Sequence, residues 1–68
     1  MNDHRWRLTV EHDPTARYGW HVHVHWQRQK YQRWKPVLVG TDRTLAGALT
    51  VVANGMAQQQ KQHPELFA

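Results

Sequence analysis

The sequence contains no cysteine, no serine and no isoleucine, and it has no long apolar run. Without cysteine the chain forms neither disulfides nor thiolate metal sites, and this absence fits a reducing compartment. No apolar run approaches the roughly 20 residues that a membrane-spanning helix needs. We therefore expect a cytoplasmic protein that has no membrane partner.

Catalytic machinery is also missing from the sequence. The usual acyl nucleophiles, serine and cysteine, are absent. No two carboxylates are spaced for acid–base work, and no glycine-rich phosphate loop is present. We expect a non-enzymatic protein that takes neither a cofactor nor a small-molecule substrate.

The 68 residues are enough for one domain, spanning 1–68. A chain of this size buries only about 60% of the surface that its unfolded state exposes. The four tryptophans favour a compact aromatic core, because each ring contributes a large buried area.

Two segments alternate apolar and polar residues with period two, which is typical of half-buried strands. They predict strands at about 5–11 and 19–28. The apolar set comprises Trp6, Leu8, Val10, Trp20, Val22, Val24 and Trp26. A third strand is predicted at about 34–39, where Pro36 suits an edge position.

The connection between the second and third strands predicts a hairpin with its tip near residues 29–32. A tip there would pair Val24 with Val37 and Val22 with Val39. This register keeps all four valines on one face of the sheet.

A helix is predicted from about residue 43 to about 61, before His63 and Pro64. Thr41, Asp42 and Thr44 are all candidate N-caps. One helical face collects Leu45, Ala48, Leu49, Val52, Ala53 and Met56. The fold class is therefore α+β: a three-stranded antiparallel sheet packed on one C-terminal helix, with the second face of the sheet left open.

Charge is unevenly distributed within the net +4. All five acids lie outside residues 14–41, and this stretch is rich in bases, which favours an anionic partner. A solvated basic surface is the alternative reading. The candidate nucleic-acid-binding residues are Arg5, Arg7, His21, His23, His25, Arg28, Lys30, Tyr31, Arg33, Trp34 and Lys35. In this set the bases would neutralise phosphates. Tyr31 and Trp34 would either stack on bases or cap the edge of the core.

His21, His23 and His25 alternate along the second strand. Side chains on alternate strand residues share a face about 6.5–7 Å apart. Two of them would suffice to chelate a cation, but a zinc site normally wants a further ligand and a supporting acid. We therefore predict no metal site, and the alternatives are a polar strand face and an anion-binding face that strengthens on acidification.

The helix has no charged residue between Thr44 and Gln60. Its outward face is predicted to carry small or weakly polar residues suited to a protein contact: Ala46, Gly47, Thr50, Val51 and Asn54. The alternative reading is a slightly apolar exposed helix.

The order β-β-β-α resembles the AP2-like family, which includes the N-terminal arm-binding domains of tyrosine integrases. Trp6-Arg7 and the Gly-Thr-x-x-Thr-Leu-x-x-Ala stretch from Gly40 to Ala48 carry the resemblance. The resemblance implies a sheet that lies in the major groove of DNA and contacts it through Arg5, Arg7, His21, His23, His25, Arg28 and Arg33. The three histidines and the uncharged helix depart from the family pattern.

We therefore expect a nucleic-acid-binding module that docks a basic, histidine-rich sheet face on DNA. The alternative is a small protein-interaction factor, such as a phage-encoded modulator of a host protein, or a homodimer that acts through the uncharged helix face.

Overall fold

The chain folds as a three-stranded antiparallel sheet followed by one helix, in a computed structural model that describes residues 4–67. The elements are β1 (Arg5–His12), β2 (Trp20–Gln27), β3 (Lys35–Asp42), α1 (Leu45–Gln62) and a short 3-10 helix (Pro64–Phe67). The predicted β-β-β-α fold is confirmed. Within residues 4–67, no helix combines the length and the apolar character that crossing a bilayer requires.

The pairing of β1 with β2 is regular along both strands. Trp6 lies opposite Trp26, Leu8 opposite Val24, and Val10 opposite Val22. Because directly opposite residues share a face of an antiparallel sheet, the period-two pattern places these six side chains together. The sequence predicted this face correctly for both strands.

The predicted register of β3 holds at Lys35 and Pro36, which lie opposite Trp26 and His25, and is wrong by one residue from Leu38 onward. Leu38 and Gly40 pair with the two core valines of β2, at the positions predicted for Val37 and Val39. A bulge beside Val24 shifts the pairing between β2 and β3. As a consequence, Val39 lies on the face away from the helix and is 50% exposed.

Gly40 lets the helix lie close against β3. A Cβ atom at this position would lie 2.6 Å from the carbonyl oxygen of Ala48 and 2.7 Å from a methyl group of Val52. Atoms of Ala48 and Val52 in the helix therefore occupy the space that a side chain at residue 40 would need. Ala48 and Val52 form the buried core with Val22 and Val24 of β2.

A hydrogen-bonded turn connects β3 to the helix, and Thr44 is the N-cap of the helix. The Thr44 hydroxyl accepts a hydrogen bond from the Gly47 amide at 3.0 Å, as N-cap side chains do. The Asp42 carboxylate accepts hydrogen bonds at 3.1 Å from the amide and the hydroxyl of Thr44. β3 thus continues through Asp42, beyond its predicted end at residue 39.

The helix covers only two of the three strands. It lies over β2 and β3, and none of its described Cα atoms comes within 8 Å of one in β1. A helix about 10 Å wide spans about two strands that are spaced about 4.8 Å apart. Leu8 and Val10 of β1 are therefore 55% and 48% exposed. Leu49 and Ala53 are also exposed, so their predicted burial was wrong.

Aromatic contacts cover the two ends of this sheet face. Phe67 of the 3-10 helix stacks on Trp6 with ring centroids 4.8 Å apart. At the opposite end, His12 stacks on Trp20 at 4.1 Å. The middle of β1 lies between these contacts and keeps its apolar side chains exposed.

Candidate nucleic-acid interface

The face of the sheet that points away from the helix is called the open face here. Strand alternation and the observed pairing place eleven side chains on it: Arg5, Arg7, Thr9, Glu11, His21, His23, His25, Gln27, Pro36, Val39 and Thr41. The sequence predicted the eight that come from β1 and β2. Val39 and Thr41 join them because of the shifted register of β3.

The three histidines form a ladder along the centre of the open face. Neighbouring ring centroids are 6.3 Å apart and the ring planes differ by 20° in both steps. His23 Nε2 lies 3.9 Å from a Glu11 carboxylate oxygen. Within residues 4–67 no three histidine or acidic side chains are grouped so as to hold a metal ion.

Two nitrogens of this ladder are enclosed. His23 Nε2 and His25 Nδ1 are buried and have no hydrogen-bond partner among the described residues. Both rings are nevertheless partly exposed. A ligand on the open face would therefore meet other edges of these two rings.

A shallow groove runs beside the ladder, where the bulge separates β2 from β3. Its walls come from His23 and His25 on one strand and from Pro36, Val37 and Val39 on the other. The groove combines imidazole edges with apolar surface. Flat, partly apolar groups fit such a surface better than isolated charges do.

Trp34 lies on the open face and contacts Arg7. The guanidinium carbon of Arg7 is 4.4 Å from the centroid of the Trp34 ring, within the range of a cation–π interaction. Trp34 does not belong to the hydrophobic cluster around the buried core. Trp34 is half-buried, so capping of the core edge and stacking on bases both stay predictions.

Tyr31 stands at the hairpin tip and is 91% exposed. The Lys30 ammonium lies 5.5 Å from the centroid of its ring. Tyr31 is also absent from the core cluster, so the core-edge reading is wrong for this residue.

Lys35 is the one predicted basic contact that lies elsewhere. It pairs with Trp26, so it shares the helix-side face of the sheet. Its ammonium is 5.9 Å from the centroid of the Trp26 ring. The predicted register holds at this pair, because the bulge that shifts β3 lies beyond Pro36.

Gln27 orders the hairpin that carries the remaining bases. Its side chain is buried, and Nε2 donates hydrogen bonds to the carbonyl oxygens of Lys30 at 3.0 Å and Gln32 at 2.7 Å. The Gln32 amide also donates to the Gln29 carbonyl at 3.0 Å, which closes the tip where the sequence predicted it. No signal in the sequence distinguished this structural glutamine from the exposed ones.

Charge is graded along the open face. Arg5 pairs with Gln27, so β1 begins beside the hairpin. The hairpin end of the face and its loop therefore gather exposed bases, called the basic end from here on: Arg5, Arg7, Arg28, Lys30 and Arg33. Toward the opposite end Glu11 lies across from His21, and Asp13 follows the last residue of β1.

The loop at the opposite end is held by Asp13. Its carboxylate accepts hydrogen bonds from the Thr15 hydroxyl at 2.7 Å and the Thr15 amide at 3.0 Å. These two bonds lower the pKa of Asp13 below its ordinary value. Near this loop, Tyr18 lies between Arg17 and Arg43, whose guanidinium carbons are 5.9 and 5.5 Å from its ring centroid. The sequence does not predict this cluster, because Arg43 is distant along the chain from Arg17 and Tyr18.

The outward face of the helix is exposed as expected at four of its five predicted positions: Ala46, Thr50, Val51 and Asn54. Gly47 is the exception, since a Cβ atom there would collide with the Asp42 carboxylate. Gly47 therefore belongs to the junction between β3 and the helix. Asp42 is the last residue of β3, and its carboxylate accepts hydrogen bonds from Thr44 in the turn that leads into the helix.

Comparison of the chain with protein-family models, with curated proteins and with solved structures finds no match.

Proposed function

We propose that this chain is a non-enzymatic nucleic-acid-binding module that docks the basic end of its open face on DNA. The observation that carries the proposal is the gathering of five exposed bases from β1 and from the hairpin at one end of the sheet, where Arg7 lies over the half-buried Trp34. Such a cluster neutralises several neighbouring phosphates together. The cytoplasm is the proposed compartment, in keeping with the cysteine-free sequence.

Aromatic and imidazole surface beside the bases supports the same proposal. Tyr31 is almost fully exposed at the hairpin tip, where a base of single-stranded DNA has access to its ring. The groove along His23 and His25 adds flat apolar surface. A two- or three-stranded sheet also has the width to enter a major groove, as the resemblance to AP2-like domains implies.

Fluorescence anisotropy with generic duplex and single-stranded DNA tests the proposal at low and at physiological salt. We expect affinity to fall steeply with salt, because bound counterions are released from the phosphates. Arg7→Ala and Arg28→Ala are each expected to weaken binding and to lower the salt slope by about 1.

Arg43→Ala is the matched control, because it removes the same charge near Tyr18 at the opposite end. It should leave the affinity close to that of the unmodified chain. Absent binding, salt-independent binding, or an equal loss in all three variants would contradict the proposal.

A protein-interaction factor is the second candidate function, favoured by Val51. This side chain is 45% exposed on a helix face without charge. Val51→Lys should then abolish binding to a specific protein partner without changing DNA affinity. Purified partner and DNA, titrated in parallel with this variant, separate the two functions.

A further inference from the structure

The two edges of the sheet are built differently. The edge strand β3 contains Pro36 and Gly40, and its pairing with β2 is interrupted by a bulge. Prolines and bulges are devices that prevent an edge from pairing with another chain. β1 contains neither proline nor glycine, and its eight residues pair with β2 without interruption.

No other strand of the described residues pairs with the outer edge of β1. β1 is the terminal strand of the order β1-β2-β3. Neither the helix nor the 3-10 helix brings a Cα atom within 8 Å of one in β1. A regular, uncovered edge strand presents a row of backbone donors and acceptors that another strand can satisfy.

Apolar surface accompanies this free edge. Leu8 and Val10 are 55% and 48% exposed on the helix side of β1. A Cβ atom at Gly55 would lie 3.1 Å from Leu38 of β3, so the opposite flank of the helix, which carries Leu49 and Ala53, points away from β3. Leu8 and Val10 of β1 and Leu49 of this flank are therefore exposed apolar side chains on the same side of the sheet. Within residues 4–67 the fully buried core has only four members, so such a small domain gains much from further burial.

The sequence of β1 is complementary to itself when two copies run antiparallel. With a two-fold axis at Leu8, Arg5 lies opposite Glu11 of the second copy, and Arg7 lies opposite Thr9. On the apolar side, Leu8 meets its own counterpart and Trp6 meets Val10. The neighbouring register centred on Arg7 would instead place two arginines opposite each other, which is unfavourable.

From these observations we propose that the chain forms a two-fold symmetric homodimer through antiparallel pairing of β1 with β1 of a second copy. The paired edges build a continuous six-stranded sheet. Its two helices lie on the same face, and the Leu8 and Val10 side chains of both copies lie between them. The proposal does not depend on DNA binding and involves a surface other than the outward helix face.

Cysteine crosslinking tests the dimer directly, because the chain has no cysteine of its own. In Leu8→Cys the two sulfur-bearing residues would have Cα atoms about 4.5–5.5 Å apart, which lies within the range of a disulfide. We expect Leu8→Cys to form a reducible dimer under mild oxidation. Val51→Cys is the matched control, because Val51 has a similar exposure on the helix, and it should stay monomeric on a denaturing gel.

Charge reversal tests the register. Arg5→Glu and Glu11→Arg should each weaken the dimer by about tenfold in its dissociation constant, since each dimer contains the pair twice. The double variant should restore the affinity of the unmodified chain. Sedimentation equilibrium measures all three, and circular dichroism checks that each variant is folded.

A chain that stays monomeric at its highest soluble concentration would overturn the proposal. Equal crosslinking of the two cysteine variants would also overturn it, because contact would then be non-specific. Failure of the double variant to regain affinity would reject the Leu8-centred register, and with it the proposed dimer.

Discussion

The half of the molecule around β3 and the half around β1 differ in how far their apolar side chains are buried. In the β3 half, Gly40 brings the helix into contact with the strand, and Ala48 and Val52 are buried there. In the β1 half, regular backbone pairing and terminal aromatic stacks hold a strand whose apolar middle stays exposed. The comparison indicates that the β3 half provides most of the stability, while the β1 half provides surface for contact.

Gly40→Ala should have the largest effect on this contrast. The added methyl group would lie 2.6 Å from a backbone carbonyl that cannot move aside cheaply. We expect a loss of about 3 kcal/mol in the free energy of unfolding, at the upper end of overpacking effects. Urea denaturation measures it, with Thr41→Ala at the exposed neighbouring residue as the control. If Gly40→Ala lost less stability than Thr41→Ala, the helix would lie farther from β3 than this contact requires.

A pair of valine substitutions compares the two halves directly. Val22 and Val10 lie opposite each other across β1 and β2, yet Val22 is fully buried and Val10 is 48% exposed. Val22→Ala should cost about 2 kcal/mol through lost burial and the resulting cavity. Val10→Ala should cost about 0.5 kcal/mol at dilutions where the chain is monomeric. Equal losses in urea denaturation would contradict the division into a packed half and an exposed half.

Gln27→Met should have a smaller effect, about 1 kcal/mol. The substitution removes both hydrogen bonds to the hairpin carbonyls, but it also removes a buried side-chain oxygen that has no partner. Water replaces the lost donors, because Lys30 and Gln32 are exposed. Amide hydrogen exchange should accelerate at the hairpin tip while exchange in α1 stays unchanged. Faster exchange in both regions would show that Gln27 supports more than the hairpin.

The smallest expected effect is a pH dependence at the loop before β2. The Thr15 hydrogen bonds lower the pKa of Asp13 in the folded state below its unfolded value near 3.8. The carboxylate therefore stabilises the fold above that unfolded value, and this contribution is lost as the pH falls through the lowered folded pKa. Asp13→Asn should flatten the acid limb of a plot of Tm against pH. An unchanged acid limb would assign the loss to other carboxylates.

The sequence by itself determined the elements, their order and one face of two strands. In β1 and β2, strict alternation places Trp6, Leu8, Val10 and their β2 partners on one face of the sheet. The uncharged, periodic stretch after Thr44 likewise determined the helix and its buried residues Ala48 and Val52. These features are encoded locally, because the spacing of apolar residues matches the period of each element.

Only the tertiary structure decided the register of β3 and the division between its two faces. Residues 37–39 are apolar at every position, so alternation has no preferred phase there. Gly40 decides which residues of β3 face the helix, because its missing side chain makes room for the helix. The same docking left β1 uncovered, because the width of one helix reaches only two strands. The exposed apolar residues of β1 follow from that placement.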